Sequence, residues 1–314
     1  MGNKSSGKTS IILRFLEKAD EKPKPSISLV YTFGRRQKSH SIDKDVVHIW
    51  ELAGGTYQSN LMEVAIQPST IPSFSLVVVV DLSRPDELWI TLETLLKEAS
   101  LRIDQLIRNN KSVKSVLEVS QNSRKLSQEH KDHRNVNVFP VPLLIVGSKF
   151  DLFQKFSTIE KRSIMQTLRF WAHKHCAHLV FHSEYIASTS KPLNIILNHF
   201  AFKTLIQRQF ICDDSKPLFI TAGQDSFEHI GSPITSDGSP AQLPSEATLE
   251  DFKKHFTQIF KQKNFEELQD KEDPSKDPYY ADDVIDRIRK LKDRELEQYR
   301  LIAERKFKDK SSRN

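Results

Sequence analysis

The sequence predicts an α/β fold, a mostly parallel sheet with helices on both faces, followed by C-terminal amphipathic helices. Three observations carry the prediction. Apolar runs of strand length alternate with longer runs at helical spacing, the pattern of parallel strands joined by crossover helices. Residues 2–9, Gly-Asn-Lys-Ser-Ser-Gly-Lys-Thr, match G-x4-G-K-[ST] and pass directly into a helical run at 10–16. Residues 246–314 hold 17 basic and 17 acidic side chains, so the entire net charge of +6 lies before them.

Taken in order, the strand-like runs are residues 27–33, 46–52, 74–82, 141–147 and 179–182, and the helical segments are 8–16, 87–107, 160–174 and 193–208. Residues 109–137 are polar and highly charged without a clear apolar face, which predicts an exposed insertion. Gly, Pro and Ser concentrate at 231–244 and predict a linker that closes a domain spanning 1–230. Beyond it, residues 245–314 form a helical extension. Its first helix carries Leu249, Phe252, Phe256, Ile259 and Phe260 on one stripe, with Ser245 as a candidate cap. Its second, about 281–307, places Val284, Ile285, Ile288, Leu291, Tyr299 and Ile302 among alternating charges. Such helices either pack back on their own domain or dock on a partner.

The longest uninterrupted apolar run, 76–80, falls far short of the roughly 20 residues of a bilayer span, and no signal-like segment follows Met1. This predicts no membrane insertion. Cys176 and Cys212 have neither metal spacing nor a disulfide framework, which fits a reducing cytoplasm. The basic excess is diffuse, with Arg35, Arg36 and Lys38 in one place and Lys111, Lys114 and Arg124 in another. No aromatic residues interleave them for base stacking, so nucleic acid is not expected as a partner. His173, His175 and His178 cluster but lack partner ligands at usable spacing for a metal.

The loop at 2–9 is the strongest signal. Gly2 and Gly7 let the backbone curl so that N–H groups of Asn3, Lys4, Ser5 and Ser6 face phosphate oxygens at the positive end of the next helix. Lys8 reaches the outer phosphates and the Thr9 hydroxyl is a candidate Mg²⁺ ligand. GTP or GDP, or ATP, with Mg²⁺ is the implied ligand. A P-loop joins a central strand to a helix, and here Met1 alone precedes the loop. That predicts a marginal fold, or a form carrying an apolar strand ahead of Met1. Met1-Gly2 with Ser6 also fits an N-myristoylation pattern, the less specific match.

Downstream stretches follow the order of small-GTPase motifs. Residues 51–54 (ELAG) stand for D-x-x-G, 148–151 (SKFD) for N-K-x-D, and Ala187-Ser188-Thr189 for S-A-K, which defines a Ras-like P-loop domain with its first strand missing. Each departs from the catalytic form. Glu51 replaces the magnesium-shell Asp, Ser148 replaces Asn, and Gly55 stands where a glutamine orients the attacking water. Lys149 and Asp151 retain the purine-packing stem and the guanine-reading carboxylate, with Ser188 beside them. Thr32 is a candidate switch threonine or a plain strand residue. Asp81, after four valines, is an alternative Walker B carboxylate, but no acidic residue follows it. The chemistry favours binding over hydrolysis, with no catalytic residue and a GTP-hydrolysing switch as the alternative. Five of only nine glycines (Gly2, Gly7, Gly54, Gly55 and Gly147) lie in or beside these motifs.

Residues 31–36 (YTFGRR), 50–55 (WELAGG), 139–151 (FPVPLLIVGSKFD), 216–233 (KPLFITAGQDSFEHIGSP) and 276–300 (KDPYYADDVIDRIRKLKDRELEQYR) together resemble the light intermediate chain family of cytoplasmic dynein, most closely its cytoplasmic dynein 2 branch. The resemblance runs across nearly the whole chain. It implies a Ras-like domain in a non-catalytic subunit that binds the motor heavy chain and other dynein 2 subunits. It further implies a role with the intraflagellar transport machinery in cilium assembly and length. The location it implies is cytoplasm and cilium, with axoneme, basal body and centrosome.

Overall fold

A computed structural model describes residues 1–24, 26, 28–37, 44–213, 215–242, 247–264 and 281–311, with side chains of the last helix described to 304. Its centre is three parallel strands, β3 (Leu76–Asp81), β4 (Leu143–Ser148) and β5 (His178–Phe181), in that order. Their residues are almost wholly buried, as continuous Val, Leu and Ile runs demand when helices cover both faces. Two short antiparallel strands, β6 (Phe210–Ile211) and β7 (Phe219–Ile220), extend the β5 edge. They were not legible in the sequence, since two residues carry no period. A long antiparallel hairpin, β1 (Leu29–Gln37) with β2 (Lys44–Leu52), forms a separate two-stranded sheet. The expected strand start at Ile27 lies outside the described residues.

Alternation along the central strands sends side chains to two separate cores. Val78, Val80, Ile145, Leu179 and Phe181 join the larger one, whereas Val79, Leu144, Val146 and Val180 join the smaller. The smaller core is closed by α1 (Lys8–Phe15) through Ile11 and by α7 (Ser190–Phe202) through Leu193, Ile196 and Phe200. The larger is closed by α3 (Pro85–Asn109) and α6 (Thr158–Lys174). Pro85 starts α3 with Asp86 and Glu87 in its first turn, and Ser157 with Glu160 forms a capping box on α6. The minor helical pieces α2 (Met62–Ala65), α5 (Phe150–Phe153) and α8 (Phe227–Ile230) fill corners between these layers.

Two expectations are corrected here. The polar stretch 109–137 is not a loose insertion: residues Lys111–Arg124 form α4, which buries Val113 and Leu117 in the larger core. Two apolar residues one turn apart suffice to dock a helix on α3, too few to register as a stripe. Arg124 then clamps the chain ahead of β4, donating to the carbonyls of Phe139, Pro140 and Val141. Likewise 231–244 does not end the globular part. α9 (Leu249–Ile259) buries Phe252 and Phe256 completely, stacking Phe252 on Phe170 of α6 with ring centroids 4.2 Å apart. Its cap is Thr248, in a capping box with Asp251, and Ser245 lies outside the described residues. The compact unit therefore reaches residue 269, and residues 270–314 form a second unit. That unit contains α10 (Asp283–Ser311), which exposes Val284, Ile285, Ile288, Leu291, Tyr299 and Ile302. No helix among the described residues is long and apolar enough to cross a membrane.

A buried polar spine ties α6 to the segment before α8. Arg169 makes a bidentate pair with Asp225, both contacts 2.7 Å, and His173 Nε2 meets Asp132 at 2.8 Å while Asp132 accepts the Phe227 N–H. Removing one partner strands the other charge in the interior. Asp225→Ala should therefore lose about 3–5 kcal/mol in urea unfolding. Around β5, burial holds the imidazoles of His175, His178 and His182 down to about 4. Unfolded, each takes a proton near pH 6.5, so the unfolded chain binds more protons and stability falls as pH drops from about 6.5 toward 4. Thermal melts should show Tm falling between pH 7 and pH 5, with a shallower fall in His178→Gln.

Candidate nucleotide site

The loop 2–7 lies against the end of β3, and its shape is dictated by contact. A Cβ at Gly2 would sit 2.1 Å from the Val79 carbonyl oxygen, so no other residue fits there. Gly7 caps α1 with φ 85° and Ser5 has φ 59°, so the chain turns twice through left-handed geometry. Lys8 is buried, and its Nζ donates to the Gly2 and Asn3 carbonyls at 2.9 and 2.7 Å. Burial lowers its ammonium to about 8, against the opposing pull of Glu51. Thr9 Oγ1 donates to Glu51 Oε1 at 2.7 Å. A hydroxyl and a carboxylate side by side at a helix N-terminus form an oxygen donor set suited to a hard divalent cation. Ser6 Oγ is buried with no partner, an orphan inside the same loop. These groups fit a phosphate with its magnesium ion.

Asn3 orients the loop from the opposite side, donating to Glu87 and Thr91 on α3. Gly55 follows β2 with φ 56°, and a Cβ there would fall 2.6 Å from Asn3 Oδ1 and 3.2 Å from Asn3 Cα. A side chain at this position would displace the Asn3 amide and would sit in a left-handed conformation that favours glycine. Gly54 is filled by Gln58, whose side chain a Cβ would overlap at 2.4 Å.

Lys149 and Asp151 follow β4. Lys149 adopts φ 58° and pairs with Asp81, which also accepts from the Ser83 N–H and hydroxyl. Asp81 is thereby committed to Lys149 and to its own turn. Ser148, expected where an Asn would tie the base loop to the phosphate loop, instead donates to the Val80 carbonyl at 3.1 Å, with its Cβ about a van der Waals contact from Gly7. The last predicted residue, Ser188, is exposed on the turn Ala187–Thr189. Ser183, two residues beyond β5, donates to Asp151. Thr189 Oγ1 pins that turn through His182, Ser183 and Ile186. Thr189 belongs to the predicted stretch 187–189, whereas Ser183 lies outside every motif read from the sequence. Thr32 lies mid-strand in β1, opposite Ile49. Of the clustered histidines, His173 is taken by Asp132, and no group of three candidate metal ligands occurs among the described residues.

Comparison with known proteins agrees with this architecture. Residues 1–137 match the family model described as dynein light intermediate chain. The chain is 42% identical to human cytoplasmic dynein 2 light intermediate chain 1 and 41% to the bovine protein, each over 98% of this chain and 88% of the relative. It is 39% identical to the mouse protein over the same shares. Among solved structures, the crystal structure of the dynein light intermediate chain's conserved domain superposes with a TM-score of 0.56 at 17% identity, covering 73% of this chain and 82% of that one. The phosphate loop, the sheet and the full-length identity converge: the chain belongs to the dynein light intermediate chain family.

Proposed function

We propose that this chain is a non-catalytic accessory subunit of the cytoplasmic dynein 2 motor. In this reading it binds the heavy chain and the other subunits, works with the intraflagellar transport machinery in retrograde movement, and supports cilium assembly and length. Its location is the cytoplasm and the cilium, at the axoneme, basal body and centrosome. The observation that carries the reading is the 41–42% identity to dynein 2 light intermediate chains over 98% of the chain.

The nucleotide site is read as a structural staple for GTP or GDP, with Gly2, Asn3, Lys4, Ser5, Ser6, Gly7 and Lys8 around the phosphates and Thr9 toward Mg²⁺. Lys149 and Asp151 face the base, with Ser188 nearby and Ser183 orienting Asp151. A ligand that binds only the folded state stabilises it by mass action, by about 2.7 kcal/mol at a hundredfold excess over Kd. In this reading hydrolysis is disfavoured because Gly55 has no side chain to orient an attacking water. A regulatory switch is the second reading, favoured by the buried Lys8 and the Thr9–Glu51 contact.

Two measurements test this. In the purified complex with a heavy-chain tail, phosphate release should stay at background and heavy-chain binding should persist in Lys8→Ala after nucleotide is stripped. Turnover that Lys8→Ala abolishes would establish the switch instead. Removing residues 270–314 should weaken heavy-chain capture at least severalfold while Tm stays within about 2 °C, because α9 and its phenylalanines remain in the core. Unchanged capture would take α10 out of the partner surface.

A further inference from the structure

The hairpin leaves one edge of β1 open. β1 pairs only with β2, and no strand among the described residues lies along its other edge. The Ala53 N–H donates to the Ser28 carbonyl at 2.7 Å, one step past the Leu29–Leu52 pair, so these two residues stand directly opposite as a hydrogen-bonded pair. Antiparallel ladders alternate. The even-numbered residues of β1 therefore bond to β2, and Leu29, Tyr31, Phe33, Arg35 and Gln37 turn their N–H and C=O groups toward the open edge. The side chains of Tyr31, Phe33 and Arg35 share one exposed face with Trp50, His48 and Val46 opposite them. The Tyr31 and Trp50 rings lie 4.8 Å apart between centroids, the Tyr31 hydroxyl meets His48 Nδ1 at 2.7 Å, and the Arg35 guanidinium sits 5.0 Å from the centre of the Phe33 ring.

Natural sheets guard such an edge with charge, proline or a covering element. Residues 29–33 (LVYTF) carry neither charge nor proline, and Val30, Tyr31 and Phe33 are 42%, 45% and 47% exposed. The edge also holds its own complement. Laid antiparallel to itself about Phe33, the strand sets Leu29 against Gln37, Tyr31 against Arg35 and Phe33 against Phe33. All of these residues face outward with their backbone groups, so each pair exchanges two hydrogen bonds. On the other face Val30 meets Arg36 and Thr32 meets Gly34. Centring on Phe33 is the register that uses all nine residues of β1. It lays a guanidinium on an aromatic ring at two symmetric positions and opposes no like charges, whereas centring on Arg35 would oppose two cations.

We propose that the open edge of β1 is a self-association surface, on which two copies of this chain pair β1 to β1, antiparallel about a two-fold axis at Phe33. The product is a four-stranded sheet in the order β2–β1–β1–β2, with Tyr31, Phe33 and Trp50 of both copies on one face. The same patch serves both copies, so each edge is used once and the assembly closes at two. Arg36 stays clear of that face: it approaches Asp45 at 3.9 Å and lies over the Phe202 ring on the opposite side. The pairing involves no residue of the phosphate loop and does not depend on the motor-subunit reading.

Sedimentation velocity of the full chain from about 1 to about 100 µM should show monomer giving way to dimer. Over the same range, amide exchange read residue by residue should slow by about tenfold or more at Tyr31, Phe33 and Arg35. It should stay unchanged at Thr32, Gly34 and Arg36, which already bond to β2. Phe33→Cys should give a disulfide-linked dimer under mild oxidation, because a hydrogen-bonded pair holds its Cα atoms about 5.5 Å apart, within disulfide reach. Gln37→Cys, about 27 Å from its own copy, should stay at the background of the unmodified chain. Phe33→Lys changes an exposed side chain and sets two ammonium groups face to face, so it should weaken the dimer by about tenfold or more. A chain that is monomeric throughout overturns the proposal, even where a strand of another protein protects the same amides. So does a dimer that Phe33→Lys leaves intact, or one that Gln37→Cys cross-links as readily as Phe33→Cys, since its interface then lies elsewhere.

Discussion

The approach of the loop backbone to the end of β3 is the constraint on which the rest of the site depends. Gly2 passes so near the Val79 carbonyl that a single added carbon would meet it at 2.1 Å, and Met1 holds the register by pairing on both sides of Val78. With that contact fixed, Lys8 folds onto the carbonyls of Gly2 and Asn3, Thr9 meets Glu51, and Asn3 comes to lie against Gly55. Each is one turn or one loop from the last. The geometry of the phosphate site is thus a consequence of backbone packing more than of any single charged side chain.

The same contact sets the surroundings of the loop. Around it stand the Glu51 carboxylate against Thr9, a buried Lys8 whose ammonium burial lowers to about 8, and Asp151, which accepts from Ser183. Gly55 lies close against Asn3 with a positive φ that favours glycine.

Packing redistributed what composition had grouped together. The charged stretch after α3 became a docked helix through Val113 and Leu117 and the Arg124 clamp. The helix after the Pro- and Gly-rich segment became part of the core because Phe252 and Phe256 meet Phe170 and Trp89. α10, whose apolar residues are isolated among charges, forms a unit of its own.

The sequence by itself determined the alternation of strands and helices and the glycine-bounded loop with its following helix, because periodicity and short motifs are local properties of a chain. Tertiary structure alone decided that Ser183 and not Ser188 supports Asp151, that Asp81 pairs with Lys149, and that β6 and β7 complete the sheet edge. It also set the two cores apart and left β2 and β3 facing across an apolar cleft. These depend on which backbones approach in space. Two serines five residues apart look alike to a motif, and only the end of β5 places one of them beside the carboxylate.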